Sequence, residues 1–401
     1  MGNSTVTVPE FDLLGADDPL EYLLEIGARA PLCWVPKLHA YLVCGYDNVV
    51  TALRNAGLRS ANATQGFERL SAAEQEELRP LRMSIEMWMG HTTPEGHHRF
   101  QHLLKRYFTP STVNGLRPRI RQLTGELLDA AADGRMEVVA DLAYPLPANI
   151  IAEMFGMPTD ERDRLRVWSR HIGAVFQNAD ADTLRRSQAS VLEMQDYLRG
   201  IVADRRARPR DDLISMFVAA ERDGLVDEDE IVANCVLLLF AGHETTANLI
   251  SHGLNLLLNN PDQLALLRSD PGLTPSAVEE MLRRDGPVIT VVREAVEPVT
   301  VAGYDIPPGQ HVFLAVYSAN HDPAVFPDPL RFDITRRNNR HLAFGMGAYY
   351  CLGAALARVE SDECFRLLLR RFPDLRPAAD QPPALVRVSM RDRLEALPVE
   401  L

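Results

Sequence analysis

The sequence predicts a mainly α fold with a smaller β-rich part. Three observations carry that expectation. From Leu116 to Leu225, apolar residues recur at helical spacing with only short breaks. A further apolar stretch of about thirty residues runs from Asp227 to Asn260 and Pro261 with no break in the helical period. Strand-like segments are confined to the neighbourhoods of residues 30–50, 288–320 and 384–400. No Gly/Ser-rich or charge-run linker interrupts the 401 residues, so one large unit is expected.

Taken in order, residues 17–60 combine a short helix with a strand pair. In YLVCGYDNVVTAL the alternation turns helical after Asp47. Residues 60–90 are polar and then methionine-rich, ending MSIEMWMG. Met83, Met87, Trp88 and Met89 could line an adaptable apolar surface or pack as ordinary core. In TTPEGHHRFQHLLKRYFTP, Thr92 or Thr93 caps a helix that has Pro94 and Glu95 in its first turn. His98 and His102 lie one turn apart, but no carboxylate or cysteine completes a zinc set. Helices are expected at 118–132, 141–155, 160–177 and 182–207, with Pro145 and Pro147 bending or breaking the second. Arg205, Arg206, Arg208 and Arg210 read as a solvated helix end. Residues 287–293 are extended, and a hairpin, a strand and a terminal hairpin follow.

Asp227 and Glu230 read as a capping box that opens the long helix. At 1.5 Å per residue this helix crosses about 45 Å, a length found at the centre of a large domain. Its middle, Ala241-Gly242-His243-Glu244-Thr245-Thr246, interrupts the apolar run. Gly242 removes a side chain where a flat partner could press. Thr245 can bond back to the carbonyl four residues earlier and open the ladder locally. Polar residues at a subunit contact are the plainer alternative.

The stretch 341–372 holds Cys351 at the end of a loop with Gly345 and Gly347 before it and Gly353 after it. A helix starts directly behind the cysteine and turns its N–H groups toward the sulfur. That setting favours thiolate, and a thiolate held by backbone donors beside small residues is what an axial haem ligand needs. A buried structural cysteine is the alternative for a lone C-x-G.

The full pattern F-G-x-G-x-x-x-C-x-G resembles the haem-binding loop of the cytochrome P-450 superfamily. AGHETT is similar to that family's acid–alcohol pair. Glu280 and Arg283 resemble its E-x-x-R, with Arg331 in FPDPLRF matching the third member of a buried triad. The resemblance spans about residues 10 to 400. It implies the P-450 fold, with a long central helix over haem b (iron protoporphyrin IX) and Cys351 as the metal ligand. It implies haem contacts from Ala343, Phe344, Gly345, Leu352 and Gly353, and from Ala241, Gly242 and Thr246. His97 and Arg293 would bond the propionates. Gln101 stands where the family has arginine, and Tyr349 where relatives have histidine or arginine, so a weaker electrostatic hold is expected. Glu244 would admit protons from solvent, and Thr245 would steady the iron-bound hydroperoxide. Met87, Trp88, Val288, Ile289, Val291 and Met390 would face substrate.

A formal net charge of −13 argues against nucleic acid as a general partner. Cys33, Cys44, Cys235, Cys351 and Cys364 form no paired framework, which suits the cytoplasm. The N-terminus has neither a basic nor an apolar signal region. The longest apolar run, residues 235–242, is too short to span a bilayer, so no membrane association is expected. With these features, the resemblance implies a soluble monooxygenase of the bacterial type that takes O₂ and a hydrophobic substrate. Its electrons would come from a ferredoxin and its reductase, or from a flavodoxin, because no flavin or iron–sulfur signature is present. Rival readings are a non-catalytic relative that activates a partner enzyme, a haem-based gas sensor, and an enzyme of oxidative coupling without oxygen insertion.

Overall fold

The computed structural model describes residues 6–7, 18–61, 65–131, 134–158, 162–176, 179–388 and 391–401. The chain divides into two compact units. One takes residues 1–61, 128–141 and 248–401, the other residues 62–127 and 142–247. Among the described residues no helix is long and apolar enough to cross a membrane.

The first unit carries the main sheet, of six strands. Leu32–Val35 and Ala40–Val43 pair antiparallel. His311–Leu314 adds parallel to Ala40–Val43, Val291–Ala295 antiparallel to that, and Leu58–Ser60 antiparallel again. Val6–Thr7 lies parallel to Cys33 and Trp34. Alternate side chains enter different cores, as the two-residue period of a strand requires. Leu32, Val43, Val312 and Leu314 pack with Tyr46, Val49 and Leu53, from the helix Tyr46–Arg54. Cys33, Val35 and Leu42 pack with Leu23 and Ile26, from the helix Pro19–Arg29. The terminal hairpin forms between Ala384–Val388 and Arg391–Ala396.

The helix Thr274–Asp285 buries an ion-pair network in the same unit. Glu280 and Arg283 are both 0% exposed. The guanidinium forks onto the carboxylate at 2.8 and 2.9 Å, and its other donors meet the carbonyls of Asn320, Pro329 and Arg331. Glu280 also accepts from Arg336 at 3.1 Å and from Asn339 at 3.0 Å. The third cation is therefore Arg336 and not Arg331, whose side chain is on an exposed residue and which contributes only its carbonyl. A turn in which Arg336 N–H meets the Asp333 carbonyl brings Arg336 back to Glu280.

Glu279, the neighbouring residue, bonds His341 at 3.0 Å and Arg358 at 2.6 Å. Burial pushes its carboxyl up, but these two partners outweigh burial and bring it down to about 2. A depressed carboxylate stabilises the fold above its unfolded pKa and loses that contribution as pH falls. Glu279→Gln should therefore lower Tm near neutrality, and the gap to the parent protein should close as pH drops from about 4.5 to about 2. Thermal melts across that range check this. A gap independent of pH would show that the carboxylate charge plays no part.

The second unit is helical. Pro145 and Pro147 break nothing, because they stand in the first turn of the helix Pro145–Met154, behind a π turn at Val139–Ala143. Arg205 is not a solvated residue. It is buried, with Asp212 and Asp204 at 2.6 Å and the Gly156 carbonyl at 2.8 Å. The long central helix is Glu228–Leu258. Its expected capping box is present, Asp227 N–H reaching Glu230 at 3.1 Å and Glu230 N–H reaching Asp227 at 2.8 Å. Residues through Ala247 belong to the second unit and those from Asn248 to the first.

Candidate active site

In the first unit, Cys351 closes a loop whose shape is set by its main chain. Gly347 has φ 75°, and a Cβ there would come within 3.0 Å of the Leu53 carbonyl. Only glycine allows the loop to press onto the helix Tyr46–Arg54 in that way. Asn320 holds Leu342 N–H at 2.7 Å, and Cys351 N–H returns to the Phe344 carbonyl at 2.9 Å. Arg358 lies 4.4 Å over the Phe344 ring. The helix Ala354–Arg371 begins directly behind the cysteine. Cys351 is exposed, and a Cβ on Gly353 would project into open space.

Protein nevertheless crowds the Cys351 sulfur. Burial raises its pKa, while the N–H groups of Gly353 and Ala354 and the charge of Arg358 pull the other way. Burial wins, so these donors alone do not produce the thiolate expected from the sequence. A cation at the sulfur would reverse the balance.

Arg293, on the strand Val291–Ala295, is a buried cation, only 4% exposed. Its Nη1 meets the Val292 carbonyl at 3.1 Å and its Nε has no partner. The guanidinium lies 4.9 Å over the Tyr349 ring. Burial pulls it down to about 10, with Tyr349 opposing. An arginine so placed calls for an anion.

In the second unit, the centre of the long helix has one open stripe. Ala241 and Thr245, one turn apart, are exposed, although Leu239, His243 and Thr246 are buried. Thr245 donates to the Ala241 carbonyl at 3.0 Å, as its position predicted. Glu244, beside it, is half-buried. Gly242 faces elsewhere: a Cβ there would lie 3.0 Å from Ile151, on the helix Pro145–Met154. His97 is buried in the helix Pro94–Lys105, with Nδ1 2.7 Å from the Met89 carbonyl. Asn234 takes Met89 N–H at 2.7 Å and donates to the Met87 carbonyl at 2.9 Å. No sequence pattern had singled out Asn234.

The cytochrome P450 family model matches residues 179–271 and 267–392. Cytochrome P450 107B1 of Saccharopolyspora erythraea is 41% identical over 371 residues, 91% of this chain and 90% of that one. The 6-deoxyerythronolide B hydroxylase of the same organism is 37% identical over 385 residues, 94% of each chain. The solved structure of CxnD, a P450 described as serving C–S bond formation in chuangxinmycin biosynthesis, has TM-score 0.88 at 33% identity. It covers 100% of this chain and 98% of its own. The chain belongs to the cytochrome P450 family. As a P450 it is a haem-thiolate monooxygenase that uses O₂.

The residues of this P450 suit haem. Cys351 is an exposed cysteine, Gly353 leaves open space beside it, and Arg293 has a buried Nε–H without a partner to offer a carboxylate. Several expected contacts do not hold. An apolar contact needs exposed area, whereas a hydrogen bond needs one atom. A Cβ on Gly242 would meet Ile151, and Ala343 and Thr246 are buried. Trp88 is 0% exposed and Ile289 belongs to the core beneath the sheet, so neither offers a surface to substrate. Met87, Val288 and Val291 are half-buried, and Val291 also packs on the sheet core. Phe344, Gly345 and Leu352 are half-buried beside Cys351. Gln101 is half-buried and borders a groove with Glu95, His98, Arg99, His102 and Lys105. Met390 lies outside the described residues.

Tyr349 supports Arg293 through its ring, which revises the expectation of a merely weakened site. Tyr349→Ala should speed haem loss several-fold, in line with about 0.5–2 kcal/mol for a cation–π contact, and Tyr349→Phe should not. Haem transfer to apomyoglobin measures both. Equal rates for the two variants would contradict the stacking role.

Proposed function

We propose that this P450 inserts one oxygen atom of O₂ into a C–H or C=C bond of a hydrophobic organic molecule from a natural-product pathway. Cys351 serves as the axial ligand. Arg293 and His97 receive the propionates. The observation that carries the reading is the open Ala241–Thr245 stripe, where the Thr245 hydroxyl is tied to the Ala241 carbonyl at 3.0 Å. The haem, when bound, supplies the oxidising chemistry, drawing on O₂ and two electrons.

The second oxygen atom leaves as water and takes up two protons. Glu244 passes them in from solvent, and Thr245, its hydroxyl already oriented, hands them on. A hydrophobic substrate is supported by an aromatic wall in the second unit. Phe176, 46% exposed, stacks at 5.6 Å on Phe240 and at 5.8 Å on Trp88. A ferredoxin or flavodoxin is the electron donor. His98, His102 and Lys105, exposed along the helix Pro94–Lys105, suit an acidic protein of that kind.

Compounds that shift the ferric haem from low to high spin identify substrates. Turnover of one such compound under ¹⁸O₂, with surrogate ferredoxin and reductase, should place one labelled atom in the product. The likeness to CxnD favours one second reading, oxidative bond formation without oxygen insertion. An oxidised but unlabelled product would establish that reading and remove the first.

A further inference from the structure

We propose that Tyr144 and His243 are positioning residues for Glu244 and Thr245, the hydrogen bond between them fixing how the middle of the central helix is rotated. This rests on the proton-supplying roles given above to Glu244 and Thr245.

His243 stands inside the acid–alcohol string and is 0% exposed. Its Nδ1 is 2.6 Å from the Leu239 carbonyl. A carbonyl only accepts, so Nδ1 carries a proton. Burial lowers the pKa of the ring, with Glu244 and the Leu239 carbonyl opposing, which favours the neutral form. A neutral ring protonated at Nδ1 presents a lone pair at Nε2. The Tyr144 hydroxyl, 3.3 Å away, donates to it. The donors therefore run in one direction, from phenol to imidazole to helix carbonyl.

The phenol is itself fixed. Tyr144 is 8% exposed, its ring meets the imidazole edge-on at 5.2 Å, and the Arg166 guanidinium lies 5.0 Å over its face. Gly242, one residue before His243, is pressed against Ile151. Two consecutive residues of the central helix are thus held by the segment 144–151.

Helix geometry converts this anchor into orientation. Residues two apart are separated by about 200° around the axis. Holding His243 on the packed side therefore turns Thr245 to the opposite side, where it and Ala241 are open. Glu244, about 100° from each, falls at the edge and is half-buried. The two side-chain bonds, His243 to Leu239 and Thr245 to Ala241, secure the same turn from opposite sides. An apolar residue at 243 would fill the space but would release the rotation.

The test uses haem-loaded protein, surrogate ferredoxin and reductase, and a spin-shifting substrate. The reading is the share of NAD(P)H electrons lost as hydrogen peroxide. Thr245→Ala is the reference and should raise that share. Tyr144→Phe and His243→Leu should raise it about three- to tenfold, the loss expected of one buried hydrogen bond, with an unchanged carbonyl spectrum. His243→Gln, whose amide can donate to Leu239 and accept from Tyr144, should return it to the parent value. In the diamagnetic carbonyl complex, ¹⁵N spectra should show His243 protonated at Nδ1 alone. A leaking Thr245→Ala beside tight Tyr144→Phe and His243→Leu would overturn the inference and leave the proton-supply reading intact. A tight Thr245→Ala would remove that reading and the inference with it. An Nε2-protonated ring would overturn the inference directly. Should His243→Leu fail to fold, Tyr144→Phe decides the matter alone.

Discussion

Glu280→Ala should destabilise the protein by about 3–5 kcal/mol, the usual cost of stranding one partner of a buried ion pair. Arg283, 0% exposed, would keep its three carbonyl partners but lose its counter-ion, and Arg336 would lose the same carboxylate. Domains are stable by about 5–15 kcal/mol, so much of the margin would go. Soluble yield and haem content should fall together. Arg283→Lys should also be poorly tolerated, because an ammonium cannot reproduce the fork onto Glu280 at 2.8 and 2.9 Å. Denaturant midpoints measured on haem-loaded protein check both variants. A Glu280→Ala midpoint matching the parent would show that the network carries no stability.

Cys351→Ala should abolish turnover and the red-shifted Soret band of the reduced carbonyl complex, because only thiolate-ligated haem gives that band. Cys351→Ser keeps the side-chain volume and should lose the band equally, which separates ligation from packing. The electrostatics add a second expectation. Burial holds the free sulfur as a thiol against the pull of Gly353, Ala354 and Arg358. Taking up iron must then displace a proton, so haem incorporation should slow as pH falls. Stopped-flow haem uptake by apoprotein at several pH values measures this. A band that survives Cys351→Ala would sink the assignment of the ligand.

Features whose partners are close in sequence were legible. The capping box of Asp227 and Glu230, the Thr245 bond to Ala241 and the fork of Arg283 onto Glu280 each join residues within one turn. The cysteine loop was legible because its glycines and sulfur lie within ten residues of one another. Features resting on distant partners were not. Arg336 displaced Arg331 because the turn at Asp333, not sequence spacing, decides which cation reaches Glu280. Gly242 read as room for a cofactor because nothing local announces Ile151. Ile289 read as facing substrate and Arg205 as solvated because a strand or helix end shows its pattern but not what covers it. The donors around Cys351 were legible, whereas the burial that opposes them in the free thiol was not, because it comes from residues distant in sequence.

Asn234 grips the Met87 and Met89 peptide groups rather than their side chains. The course of that segment is therefore set without the Met87 side chain, which is half-buried, whereas Met89 is buried in the core. A library that randomises position 87 while keeping Met89, Asn234 and Trp88 should yield folded enzymes with altered selectivity, a natural starting point for directed evolution.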